Sequence, residues 1–355
     1  MARRVLIVKL VLLVAGCGSA AVAAAQAPQI SKPKPAPPTA PNVPPLPPAA
    51  IDNSLTIGGE ELKARQVDTR LSVDVEVNGR GPYRFVVDSG ADTSAVGLRI
   101  ARDLQLPLGT PAVLNGMTSR DLVDRVKIGR LTLGPTSVDN LEVPALREVD
   151  LGGDGLVGID ALVQQRLMMD FEKRVIQIED ARIPVKYTPG EIVITARRRR
   201  GQLILTEVRA ASLRLDAVID TGSEVTIGNI ALRDKLLRNG HAKFWDVEAI
   251  GVTGVPVKLQ IARVDELQLG PVILHDVPIA FADVPPFQLF GLSGQPALLL
   301  GTDLLETFRR VSLDFRARKV RFQLRRCEQD GIIISTAPTD LFTRLSSANA
   351  EACIR

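Results

Sequence analysis

The chain carries one set of short sequence elements twice, in the same order, and this duplication constrains its fold more than any other feature. Phe85-Val86-Val87-Asp88-Ser89-Gly90-Ala91 recurs as Ala217-Val218-Ile219-Asp220-Thr221-Gly222-Ser223. Helix-compatible stretches follow at 100–104 and 230–234. Leu131-Thr132-Leu133-Gly134-Pro135 then returns as Leu267-Gln268-Leu269-Gly270-Pro271, each trailed by a Val-Pro, Val143-Pro144 and Val277-Pro278. Leu156-Val157-Gly158-Ile159-Asp160 matches Leu299-Leu300-Gly301-Thr302-Asp303, and Asp170-Phe171 with Arg174-Val175 matches Asp314-Phe315 with Lys319-Val320. A single Asp-Ser-Gly reads as a turn. Five elements in register read as a repeated unit, placed at 66–182 and 201–326.

Each unit reads as β structure. Leu71, Val73, Val75 and Val77 alternate with Ser72, Asp74 and Glu76, the period-2 pattern of a strand with one buried face. The apolar runs are short and broken by Gly, Pro and Asp, and no long amphipathic helix interrupts them. The expected fold class is all-β, in two repeated units with short helices.

Composition narrows the chemistry. The chain has two histidines, His241 and His275, so a multi-histidine zinc site or a Ser-His-Asp hydrolase finds little material. Gly152-Gly153-Asp154-Gly155 reads as a turn, because no calcium-loop spacing follows it. No metal or cofactor is expected. The net charge of +4 is small for 355 residues and gives no electrostatic case for nucleic acid. The 40 Asp and Glu make carboxylate acid–base chemistry the first place to look.

The ends of the chain read differently from the repeats. Residues 1–27 have the basic start and short apolar run of an export signal, too short to span a bilayer. Val14-Ala15-Gly16-Cys17 resembles a lipobox in which Cys17 is lipidated, giving a membrane anchor; cleavage after Ala25 is the competing reading. Arg3, Arg4 and Lys9 leave with that segment, so the remaining basic residues nearly balance the acids. Residues 28–65 read as a proline-rich linker, with ten of the 24 prolines falling between 28 and 48. Ser31-Lys32-Pro33-Lys34 matches the S-x-x-K spacing without a helix to align it. Residues 183–200 form a connector whose Arg197-Arg198-Arg199-Arg200 run is expected to face water. Residues 327–355 form a tail. Cys327 and Cys353 stand either as a disulfide, which export favours, or as two free thiols. Localisation is expected to be the periplasm or cell envelope.

The duplicated set resembles the aspartic proteases. Val87-Asp88-Ser89-Gly90-Ala91-Asp92-Thr93 is similar to the retropepsin form, and Ile219-Asp220-Thr221-Gly222-Ser223 to the pepsin form. The resemblance implies two retropepsin-like β-barrel lobes related by a pseudo-twofold axis, with Asp88 and Asp220 meeting between them as the catalytic pair. A peptide bond can be hydrolysed by one water if one group takes its proton while another protonates the carbonyl. Two carboxyls about 3 Å apart do both jobs when they share one proton, as in the aspartic proteases generally. Ser89 and Thr221 would tie the lobes beneath the pair, and Gly90 and Gly222 would allow the tight turn.

Substrate-covering flaps are expected at Gly116, Met117 and Thr118 in the first unit and at Gly251, Val252 and Thr253 in the second. Neither tip carries the tyrosine of the pepsin flap. Asp92 and Glu224 are expected to be solvated or to stabilise their loops. The expected function is an aspartic endopeptidase of the cell envelope, acting on protein or peptide as a monomer with two pseudo-symmetric lobes. A non-catalytic peptide-binding protein on the same fold, and pairing of repeats between chains, stand as alternatives.

Overall fold

The computed structural model describes residues 29–37, 60–63, 65–67, 70–134, 136–183, 191–238, 244–250, 256–325 and 333–336. Cys17, Cys327, Cys353 and the flap residues Gly251, Val252 and Thr253 lie outside them.

Each repeat closes a six-stranded barrel. In the first, Arg70–Val77 buries Leu71, Val73, Val75 and Val77 on one face, as the alternation requires. The strand order is Arg70–Val77, Arg80–Val87, Gly155–Val157, Ala95–Gly97, Thr136–Leu146, Arg125–Leu133. The last strand pairs back onto the first through Glu76↔Thr132 and Val77↔Leu131. In the second, the order is Gln202–Ala210, Leu213–Ile219, Ala297–Leu300, Ile227–Gly228, Val272–Phe281, Pro256–Leu269, closed by Val208↔Leu269 and Arg209↔Gln268. Closure leaves no free edge within either barrel. Short helices Leu98–Asp103 and Ile230–Leu237 fall at matching points.

The Leu-Val-Gly element explains itself here. Gly155–Val157 runs parallel to Arg80–Val87 and antiparallel to Ala95–Gly97, wedged behind the loop that carries Asp88. Ala297–Leu300 does the same behind Asp220. The backbone bonds Asp88 N to Val157 O (2.9 Å) and Asp220 N to Leu300 O (3.0 Å) fix the two loops to these strands.

A separate six-stranded sheet joins the lobes. Gln165–Asp170 pairs antiparallel with Phe308–Asp314, and hairpin partners Val175–Asp180 and Lys319–Leu324 extend it on either side. The repeated Asp-Phe element makes the two hairpin turns: Asp170 accepts from Lys173 N (2.8 Å) and Asp314 from Ala317 N (2.7 Å). The same aspartates bind arginines across the lobes, Arg310 to Asp170 at 2.6 Å and Arg166 to Asp314 at 3.0 Å. Arg166 also meets Glu179 at 2.6 Å, and all three groups of that cluster are buried.

Two segments differ from their sequence readings. Parts of the 28–65 stretch are ordered within sheets: Lys34–Pro35, Glu60–Lys63 and Arg65–Val67 each pair with a strand of the fold. The arginine run of the connector faces water only in part, with Arg198 and Arg200 exposed as expected. Arg197 is buried and bridges Asp216 at 3.0 Å, while Arg198 and Arg199 donate to the Phe315 and Phe290 carbonyls. Strand Arg197–Arg199 pairs with Gln202–Ala210, so the alternation of the strand separates charges that a linear reading sets side by side.

Candidate active site

Asp88 and Asp220 sit on equivalent turns at the ends of strands Arg80–Val87 and Leu213–Ile219, and the fold brings them together. Each carboxylate folds back onto its own turn. Asp88 Oδ1 accepts from Gly90 N (2.8 Å) and Ala91 N (3.0 Å), and Asp220 Oδ1 from Gly222 N (3.1 Å) and Ser223 N (3.2 Å). The two carboxyls also share a hydrogen bond with each other. A Cβ on Gly90 would overlap the Asp220 carboxylate, and one on Gly222 would overlap that of Asp88. Glycine stands in both places because the opposite aspartate fills the space a side chain would need.

Four hydrogen bonds lock the lobes beneath the pair. Ser89 N donates to Thr221 Oγ1 (2.9 Å) and Thr221 N to Ser89 Oγ (3.2 Å). The hydroxyls pass the network on, Ser89 Oγ to Ile219 O (3.0 Å) and Thr221 Oγ1 to Val87 O (2.8 Å). Ser89 and Thr221 are each 1% exposed, so the network is dry. Every bond is matched by its pseudo-twofold mate.

A further matched set, in which residue reasoning assigned no role, braces each loop. Asp160 accepts from Ser94 N (2.9 Å) and Ser94 Oγ (2.7 Å), and Asp303 from Thr226 N (2.9 Å) and Thr226 Oγ1 (2.7 Å). Ser94 Oγ and Thr226 Oγ1 each accept the N–H of Gly158 or Gly301 at 3.0 Å. The signal was available, since Ser94 and Thr226 stand at the same distance from Asp88 and Asp220 in sequence.

Burial raises both dyad carboxyls above the ordinary carboxylate value of 3.8. For Asp88 the loop N–H groups, the bond to Asp220 and the positive charge of Arg70 oppose that rise. For Asp220 the negative charge of Asp88 adds to burial, and it is pushed well above the ordinary range. Both carboxyls are raised together, so the two titrate as one pair that keeps a proton above the ordinary carboxylate range. The asymmetry has a visible source in the chain crossings. Arg70 reaches the second lobe's loop and pairs with Glu224 at 2.9 Å. Its counterpart Gln202 is uncharged, and its amide donates to Gly90 O (3.3 Å) and to Asp92. Asp92 and Glu224 thus hold the opposite lobe to the active-site loops, the loop-stabilising role expected of them.

Where the first flap is expected, Ala112–Asn115 and Arg120–Val123 form a hairpin, its turn closed by Gly116 N to Ser119 O at 2.9 Å. Met117 and Thr118 form the tip. Met117 crosses to the second lobe, where its sulfur lies 3.6 Å from Ser223 Oγ, beside Asp220, and it packs on a cluster containing Phe287 and Phe290. Thr118 Oγ1 is buried with no hydrogen-bond partner among the described residues. The second hairpin, Trp245–Ile250 with Pro256–Leu269, begins at Ile250↔Pro256. Its arms lie where the second flap is expected. Phe244 packs edge-on against Phe281, ring centroids 6.1 Å apart, a core role.

A family model described as Aspartyl protease matches the chain twice, at residues 73–161 and 206–304, one match in each barrel. A search of curated proteins gives no match. The two family matches together cover more than half of the 355 residues and contain both Asp loops, both wedged Gly strands and the first flap, so the chain belongs to the aspartyl protease family.

Proposed function

We propose that the protein is an aspartic endopeptidase whose single catalytic unit is the Asp88/Asp220 pair. The observation that carries this reading is the complete, pseudo-symmetric set beneath the carboxylates: four cross-lobe hydrogen bonds and two glycines that admit the opposing aspartate. A binding module needs none of it.

In this reading Asp88 is the ionised member. It removes a proton from a water held between the carboxyls as that water attacks the scissile carbonyl carbon. Asp220 gives its proton to the carbonyl oxygen, and the tetrahedral intermediate forms without a separated charge pair. The N–H groups of Gly90 and Ala91 hold the Asp88 oxygen in place before and after the transfer, so little reorganisation accompanies the step. Collapse of the intermediate returns the proton through the same pair to the leaving amine. Met117 closes the cleft over the Asp220 side. No metal or cofactor enters these steps.

The basic start and short apolar run of residues 1–27 support export, with lipidation at Cys17 giving an envelope anchor. A folded lobe pair within one chain supports a monomer acting on protein or peptide substrates.

The test is cleavage of a peptide library by the purified chain, with Asp88→Asn and Asp220→Asn in parallel. Cleavage by the parent and its loss in both folded variants supports the reading. Cleavage retained in either variant overturns it, and peptide binding without cleavage by the parent returns the non-catalytic alternative.

A further inference from the structure

The flap has a third strand that does not come from its own repeat. Lys34 and Pro35 pair antiparallel with Leu122 and Asp121 on the free edge of Arg120–Val123, and Ala36 N donates to Arg120 O at 2.9 Å. Upstream, Ser31 N and Ser31 Oγ both donate to Asp124 Oδ2 at 2.6 Å, and Ile30 packs against the main hydrophobic core. The segment is held on the flap edge, at Asp124 just beyond it, and on the core.

The proline pattern fits this seat. Ala36 turns its N–H toward the flap, so residues two apart from it do the same and the odd positions turn theirs away. Pro33, Pro35 and Pro37 occupy those outward positions. The strand can therefore bond on one side only. Lys32 and Lys34 are exposed, and a lysine- and proline-bearing edge resists further strand addition. A free linker has no use for this alternation.

The position also separates bracing from blocking. The other flap strand, Ala112–Asn115, lies beside the second-lobe helix Pro285–Leu289, and the tip reaches Ser223. The added strand occupies the opposite edge, away from the second lobe. A two-stranded hairpin is marginally stable alone, and a third strand is the usual remedy.

We propose that residues 30–37 are a built-in flap brace, a strand that holds the Met117 tip over the dyad and thereby sets substrate affinity. This rests on the peptidase reading above, but its first readout does not. Hydrogen exchange at residues 112–123 is measured in the purified chain, in Ala36→Pro, which removes one donor, and in Asp124→Ala, which removes the Ser31 anchor. Exchange is expected to quicken by at least about fivefold in the flap of each variant, with strand Arg70–Val77 unchanged. KM for a cleaved peptide is expected to rise several-fold while kcat stays within about twofold. Flap exchange unchanged in both variants overturns the brace, whatever the activity shows. A KM that falls in both overturns it in favour of a self-blocking strand. Failure of the parent to cleave peptides defeats the peptidase reading alone and leaves the exchange result to decide the brace.

Discussion

Replacing Thr221 by valine tests the lobe junction with almost no change of shape. The hydroxyl accepts from Ser89 N at 2.9 Å and donates to Val87 O at 2.8 Å, in a site 1% exposed. Valine keeps the volume and leaves both backbone groups without that partner in a place water does not reach. At about 1–3 kcal/mol for each stranded buried group, and some return from the added methyl, the expected loss is about 2–4 kcal/mol. Thr221→Ser restores the hydroxyl and is expected to recover most of it. Ser89→Ala removes the mate bonds, at 3.0 and 3.2 Å, and is expected to cost somewhat less. Because all four bonds form one network, the double variant should cost less than the two single losses added. Urea unfolding followed by circular dichroism gives the free energies. A Thr221→Val chain within about 0.5 kcal/mol of the parent, the scatter of a neutral surface change, would refute the argument that these bonds join the lobes.

Four further outcomes follow from the same structure. Since both dyad carboxyls are raised and activity needs one proton on the pair, kcat/KM should fall on the acid side as the pair gains a second proton and on the alkaline side as it loses its last. Both limbs should lie above the 3.8 of a free aspartyl group; an acid limb at or below it contradicts the burial argument. A raised folded-state pKa also means that stability is lost as pH rises through it, so Asp220→Asn should be at least as stable as the parent in mild alkali, checked by thermal melts. Gly222→Ala places a methyl against the Asp88 carboxylate and should cut kcat/KM by about 100-fold or more with the fold retained; a loss under about threefold in steady-state kinetics speaks against the close approach. Arg166→Leu strands Glu179 and Asp314 in the buried joining sheet and should cost about 3–5 kcal/mol in urea unfolding, where a change under about 1 kcal/mol contradicts it.

What the sequence discloses depends on whether the chemistry fixes residue types locally. Asp88-Ser89-Gly90 and Asp220-Thr221-Gly222 are legible because carboxylate, hydroxyl and missing side chain are each required at adjacent positions, twice. The wedged strands are legible for the same reason, since Gly158 and Gly301 lie against the loop backbones at Thr93 and Val225, with no room for a side chain. The contacts between repeats are harder to see. Arg70 and Gln202 hold equivalent posts but differ in type, so comparing the repeats hides them. Arg166 and Arg310 precede the Asp-Phe elements by four residues and gain meaning only when two strands from distant parts of the chain align in register. The flap brace is hidden in composition: averaged over the 28–65 stretch its prolines read as a spacer, and only the direction of the Ala36 N–H shows that they alternate.

The most direct test of the central claim is whether Asp88 and Asp220 act as one unit. Steady-state kcat/KM for a cleaved peptide is measured in Asp88→Asn, Asp220→Asn and the double variant, with circular dichroism to confirm folding. Two carboxyls sharing one proton fail together, so each single variant should lose nearly as much as the double. Losses that multiply in the double variant, or one single variant that keeps most of the parent's activity, would contradict the shared pair.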